Sequence, residues 1–288
     1  MATLPNPLPK LATDPTGTAL GLQLPPGRLL DATDEGPWHE PLLWLADVPA
    51  APGAWAALEP ARHSAGLLPV VIDVGGSQGA PEDWELMPGE MSYPGDHDAE
   101  EVLEDFWYDC VTKEDAEWPG LADTPDTPAT TLNGSAPATT LNGSAPGPAP
   151  DLSPDPDTVA TGIADALVDG GGPLKNPRLA LVPARRSADV PAAIGWTGPM
   201  NHENDTARLC AVLRSWEDRF GIRVVALGFD HLLASVASPP TTLAEAEAVA
   251  AEHFAFCPDN IWQGRDTTIR AYAENQLLNQ PVWHFWWD

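Results

Sequence analysis

His253 and Cys257 stand four residues apart, one helical turn, and Asp259 follows two positions later. An imidazole, a thiol and a carboxylate form the residue set of a base, a nucleophile and an orienting acid. Two features weaken that chemistry. Pro258 removes the amide that would donate to an oxyanion directly after Cys257, and no glycine-rich turn lies beside it. The same pair is near the spacing of two metal ligands, but a site needs about three or four, and His202, His231 and His284 are scattered along the chain. No metal and no cofactor is therefore expected. His253 also continues the apolar stripe of Ala246, Val249 and Ala250, the pattern of a core histidine beside a buried structural thiol.

Two further groupings could do work. Glu217 and Asp218, with Arg219 beside them, could serve as paired carboxylates if they bordered a pocket. Their place on the polar flank of a helix predicts a solvated, salt-bridged face, with Arg214 and Asp218 paired across one turn. The most pocket-like set is Trp196, Asn201, Asp259, Asn260, Trp262 and Gln263, all in loops at element ends. Aromatics beside amides and a carboxylate suit a small-molecule or peptide site; the structural alternative is amides that cap turns and tryptophans that pack. The glycines at 75–79 and 170–172 lack the spacing of a phosphate loop.

The elements that must position these groups can be read from periodicity. Residues 19–30 read as two short strands about a Pro-Pro-Gly turn, 41–46 as a strand, 54–63 as a helix and 67–74 as a buried strand. Residues 100–110 carry Val102, Leu103, Phe106, Trp107 and Cys110 on one helical stripe. A helix at 159–168 and a strand at 178–182 follow. Ser187 can cap a short helix to Ile194, which Gly195 ends. Leu209, Val212, Leu213, Trp216 and Phe220 share one face of a helix over 205–220. Strands at 222–227 and 231–236 come next, then a helix opened by the Thr242/Glu245 capping box, then a helix from Thr268 to Leu278. In the closing Trp283-His-Phe-Trp-Trp-Asp288, Trp283, Phe285 and Trp287 alternate with His284, Trp286 and Asp288. Large aromatics on both faces predict a strand buried on both sides, whose removal unfolds the C-terminal half.

A strand, a helix, a glycine and a second strand occur twice, at 41–74 and at 178–227. A right-handed crossover would make the strands of each unit parallel, and both units could share one sheet. The fold class is α/β (mixed α+β): a mixed sheet flanked by helices, with a long acidic and disordered insertion. The organisation is a disordered tail at 1–18, an αβ region at 19–120 with an acidic segment at 82–117, a disordered linker at 121–157, and a C-terminal αβ domain at 158–288. The linker carries the nonapeptide Pro-Ala-Thr-Thr-Leu-Asn-Gly-Ser-Ala twice in tandem, at 128–136 and 137–145.

The 288 residues carry 14 basic and 42 acidic side chains, a net charge of −28. Residues 1–120 hold 22 acids and 4 bases, whereas residues 158–288 hold 15 and 10. Such a field repels phosphate, so no nucleic acid and no anionic membrane is expected as a partner, while a basic protein partner is favoured. Three cysteines without framework spacing, and no signal-peptide or membrane-span pattern, predict a cytoplasmic protein of unknown oligomeric state.

The blocks Pro183-Ala-Arg-Arg-Ser-Ala-Asp189, Gly195-Trp-Thr-Gly-Pro-Met-Asn201, Leu213-Arg-Ser-Trp-Glu-Asp-Arg-Phe-Gly221, Ala251-Glu-His-Phe-Ala-Phe-Cys-Pro-Asp-Asn260 and Trp283-His-Phe-Trp-Trp-Asp288 together resemble the bacterial family named domain of unknown function 4253. The resemblance covers about residues 180–288. It implies a domain boundary and a bacterial cytoplasmic setting, and it supplies no activity. The functional expectation is a binding module that uses the C-terminal loops. The alternative is a hydrolase or transferase on His253, Cys257 and Asp259.

Overall fold

The computed structural model describes residues 5–111, 117–124, 154–170 and 172–288; the tandem nonapeptide lies outside them. Seven strands form one mixed sheet. In spatial order they are β1 (Gly27–Leu30), β4 (Leu43–Ala46), β6 (Pro177–Pro183), β5 (Leu67–Asp73), β7 (Ile222–Leu227), β8 (His231–Val236) and β9 (Val282–Trp286). A separate two-stranded ribbon joins β2 (Ala32–Thr33) to β3 (Gly36–Pro37). Strands from both halves of the chain interleave, because β5 sits between β6 and β7.

Every neighbouring pair in the seven-stranded sheet is antiparallel except β5–β7. β4 and β5 run in the same direction, as the first repeat predicts, but β6 lies between them. The second expected parallel pair is absent. The chain leaves β6 through α5 (Val190–Ile194) and the 195–205 loop, then returns along α6 (Thr206–Phe220). It re-enters the sheet at the end it left, so β7 runs against β6.

Helices cover both faces. One carries α3 (Ala99–Cys110), α6 and α7 (Leu243–Phe256) over Leu45, Val70, Val182, Val224 and Phe285. The other carries α1 (Ala54–Leu58), α2 (Ala61–Ala65) and α4 (Pro156–Val168) over Trp44, Val71, Leu181 and Leu233. Pro60 ends α1 and precedes α2, so the one helix expected over 54–63 is two. Only one strand, β1, forms within residues 19–30, because Thr18–Leu20 makes a 3₁₀ turn. Residues 8–12, in the tail expected to be disordered, form another such turn whose Leu8 and Leu11 are buried under the second layer. Proline-rich composition hid two leucines spaced to reach the core.

α3 carries the predicted stripe inward: Val102, Leu103, Phe106, Trp107 and Cys110 are all buried. Asp98 caps it by accepting from the amides of Glu100 and Glu101. The stretch before it is clamped to the C-terminal half. The amide of Met87 donates to the Gly195 carbonyl (2.8 Å), that of Ser92 donates to Asp205 (3.1 Å), and Thr197 donates to the Trp84 carbonyl (3.0 Å). Gly195 has φ +69°, and a Cβ there would lie 2.2 Å from the backbone nitrogen of Pro88. Only glycine fits that crossing.

β9 corrects the expectation of a strand buried on both sides. It is an edge strand: Trp283 and Phe285 are buried against α6 and α7, while His284 is exposed and Trp286 half-buried on the opposite face. Helix α4 packs on β7 and β8, so the outer face of β9 stays open.

Candidate functional site

The open face of β9 meets the loop after α7. There α8 (Asp259–Trp262) precedes α9 (Ile269–Tyr272), which runs into a π-turn at Ala273–Leu277. Between them lies a cleft of about 270 Å³ lined by Asp259, Asn260, Arg265, Asp266, Tyr272, Gln276, His284 and Trp286. Gly264 allows the loop to fold this tightly, since a Cβ there would fall 1.9 Å from the Asn260 carbonyl oxygen.

Asn260 organises the cleft. Its Nδ2 donates to the His284 carbonyl (2.7 Å) and to the Tyr272 hydroxyl (3.0 Å), and its Oδ1 accepts from the Trp286 amide (3.2 Å). Asp259 accepts from Gln263 Nε2 (3.0 Å) and from the Asp288 amide (3.1 Å). Asp266 accepts from Asn275 (2.8 Å) and Gln276 (2.7 Å). The amides and carboxylates of this loop thus mostly satisfy one another.

The three nucleophile candidates do not assemble. His253 is fully buried between Trp216, Trp283 and Phe285, with ring centroids 4.6–4.8 Å away. Its Nδ1 meets the Tyr272 hydroxyl at 3.1 Å, and its Nε2 has no hydrogen-bond partner. Burial, with the nearby Arg219 charge, holds its pKa well below the ordinary imidazole value. Cys257 is also fully buried, its Sγ donating to the Trp286 carbonyl at 3.0 Å. Burial pushes that thiol far up, away from thiolate character. Among the described residues no group of three His, Cys, Asp or Glu side chains could hold a metal ion.

The binding candidates divide. Trp196 is buried, its Nε1 donating to the Gly228 (2.9 Å) and Phe229 (3.1 Å) carbonyls and its ring edge-on to Trp287. Its indole nitrogen closes a turn, so it offers no surface. Asn201 is exposed in the turn before α6 and does not line the cleft. Asp259 and Asn260 line it; Gln263 is exposed on the rim. Trp262 is 57 % exposed, resting edge-on against Phe254, which in turn meets Trp107 of α3. Asp259 and Asp109 both act on the Cys110 thiol, which burial first and these charges next push up to about 11. The acidic outer face of α3 therefore adjoins the 259–263 loop. That face carries Glu100, Glu101, Glu104, Asp105 and Asp109, with Tyr108 53 % exposed among them.

The carboxylates of α6 also depart from expectation. Arg214 pairs with Asp189, not Asp218, and Asp218 pairs with Arg186. Glu217 is nearly buried between Arg186 and Arg223. Arg219 turns inward to Glu252, a fully buried carboxylate that also accepts from Trp216 Nε1 (2.7 Å) and the Ala122 amide (2.6 Å). Glu217, Asp218 and Glu252 are thus taken up in ion pairs that tie elements together. Ser187 likewise accepts from the Val224 amide (2.7 Å) instead of capping a helix.

A second cleft, about 330 Å³, shares His284 and Trp286 with the first and lies at the carboxyl ends of the parallel pair β5–β7. Asp73, Ser77, Lys175, Asp230 and His231 line it. Burial works against the Asp73 charge, but the amides of Lys175, Asn176 and Gly75 outweigh it and lower its pKa. Residues 75–79 hold a Gly-x-Ser-x-Gly spacing, with Ser77 central. The elbow itself is not built, since Ser77 is not a positive-φ residue and a 3₁₀ turn at Pro81–Asp83 follows in place of an α-helix. Arg265, Asp266, Tyr272, Gln276, His284 and Trp286 were missed as lining residues, because only strand order reveals which face of β9 is uncovered.

Residues 178–288 match the model of a family described as "Domain of unknown function (DUF4253)". The match begins in β6 and includes the 195–205 and 259–263 loops, while α3 and residues 75–79 lie outside it. No curated protein and no solved structure matches the chain. Among the described residues no helix is long and apolar enough to cross a membrane.

Proposed function

We propose that this chain is a binding module that takes up a basic segment of a protein partner on the surface formed by α3 and the 259–263 loop. The observation that carries this reading is Trp262, an indole 57 % exposed that rests on Phe254, which in turn packs on Trp107 of the acidic helix α3. An exposed indole backed by packed aromatics is the residue type that dominates interface energetics. Beside carboxylates it also suits a guanidinium or ammonium, which can stack on the ring while pairing with an acid. The acidic bias of the chain adds steering of such a partner.

The rival reading, a hydrolase or transferase on His253, Cys257 and Asp259, has the burial of the thiol and imidazole against it. A calorimetric titration of the full chain with a lysine- and arginine-rich peptide tests the preferred reading, with an aspartate- and glutamate-rich peptide as control. Binding of the basic peptide alone, weakening as salt rises, is the expected result. Absence of binding at low salt would refute it.

A further inference from the structure

The cleft of about 330 Å³ at the carboxyl ends of β5 and β7 is walled by the loops at 76–79, 173–175 and 229–231 and by the end of β9. Open αβ sheets bind ligands in this place, outside the carboxyl ends of parallel strands. The volume falls within the range of small-molecule sites, about 300–1,000 Å³. Leu174 and Leu233 are buried in its wall, while Phe229 and Trp286 line it with half-buried rings. We propose that this cleft binds a free amino acid with an aromatic side chain, its carboxylate on Lys175 and its ammonium on Asp230.

Two charges of opposite sign stand open in one cleft. Lys175 is exposed, and among the described residues its ammonium enters no ion pair. The Asp230 carboxylate hydrogen-bonds only the neighbouring His231, whose Nδ1 lies 3.1 Å away. Although both line the cleft, they do not pair with each other, so a ligand that carries both charges can bridge them. Asp73, the other carboxylate of the lining, is already engaged. Its oxygens accept from the amides of Gly75 (3.0 Å), Lys175 (3.0 Å) and Asn176 (2.8 Å). Between the charges, the rings of Phe229 and Trp286 suit an aromatic body. The site is also held in shape. Trp196 Nε1 donates to the Gly228 and Phe229 carbonyls, which fixes the turn that carries Asp230. The Asp230 carbonyl accepts from the Trp287 amide (3.0 Å), which ties that turn to the end of β9. Asp73 pins the root of Lys175, and Gly75 leaves room for it, since a Cβ there would lie 2.4 Å from the Lys175 Cβ. A preformed cleft loses little binding energy to ordering. This proposal shares no residue with the α3–Trp262 surface, so either can fail without the other.

Calorimetric titration of the full chain compares L-phenylalanine with phenylpropionate, which lacks the ammonium, and with phenethylamine, which lacks the carboxylate. L-phenylalanine should bind about tenfold or more tightly than either, as one charge-assisted contact implies. Lys175→Met should lower its affinity to that of phenethylamine without weakening phenethylamine itself. Asp230→Asn keeps an oxygen for His231 and should lower the affinity to that of phenylpropionate. Should the Asp230 variant not fold, Lys175→Met at its exposed position still decides. No binding of L-phenylalanine to the wild-type chain would overturn the proposal. So would equal affinity for the three compounds, or an unchanged preference for L-phenylalanine in folded Lys175→Met.

Discussion

The side chain of Asn260 accepts a hydrogen bond from the backbone amide of Trp286 at 3.2 Å, taking the place of a neighbouring strand. The Asn260 side-chain nitrogen donates in turn to the His284 carbonyl at 2.7 Å, so two backbone groups on the open edge of β9 are satisfied by one residue. An unpaired edge invites association with other chains, and this side chain blunts it. Asn260→Ala should cost about 1–3 kcal/mol, as loss of buried or half-buried hydrogen-bond partners does, and should raise the tendency to self-associate. Urea unfolding and light scattering check both effects. Unchanged values would mean that the edge needs no cap.

The Arg219–Glu252 pair is the most deeply buried ion pair among those described, with Glu252 fully enclosed. Through Glu252 it also receives the Ala122 amide, fixing the chain where it leaves the front half. Removing one partner strands the other charge in the core. Arg219→Met should therefore cost about 3–5 kcal/mol in urea unfolding, while a double replacement of both partners by apolar residues should recover much of the loss. A single variant as stable as the parent would contradict the role assigned to the pair.

His253 predicts a pH dependence whose sign is fixed. Its folded-state pKa is held well below the ordinary value by burial and by Arg219, whereas in the unfolded chain it titrates near ~6.5. The unfolded state thus binds a proton that the folded state refuses. This contribution is fully present above about pH 6.5 and is lost as pH falls, by up to about 1.4 kcal/mol per pH unit. Unfolding measured at about pH 7.5 and about pH 5.5 should show the loss, and His253→Gln should flatten it. An identical slope in that variant would assign the effect elsewhere.

All three cysteines are free and buried, and burial is the leading cause of the raised pKa at each. Thiol labelling of the native chain at neutral pH should be slow at Cys110, Cys210 and Cys257 and become fast only on unfolding. Rapid labelling of Cys257 in the folded protein would revive the nucleophile reading.

Where the sequence carried a strong local period, it described the structure well. α3, α6 and the Thr242/Glu245 capping box follow from residues within one or two turns of each other. The edge position of β9 could not be read that way. Trp286 has the same composition signal as Trp283, and only the order of strands and the reach of α4 decide which of them is covered. The partners of Arg214 and Arg219 lie 25 and 33 residues away in sequence, beyond any helical spacing rule. Of the candidate site, Asp259, Asn260 and Trp262 were legible as loop residues. The acidic helix beside them was legible as a helix, but their adjacency was not, because it depends on α3 packing across α6 and α7.

The most direct test of the binding reading is hydrogen exchange on the full chain with and without the lysine- and arginine-rich peptide. It is to be repeated on a variant carrying Glu101→Gln, Glu104→Gln, Asp109→Asn and Trp262→Ala. New protection confined to α3 and residues 259–263 is expected in the parent, and none in the variant at the same peptide concentration. Protection elsewhere, or equal protection in the two proteins, would contradict it.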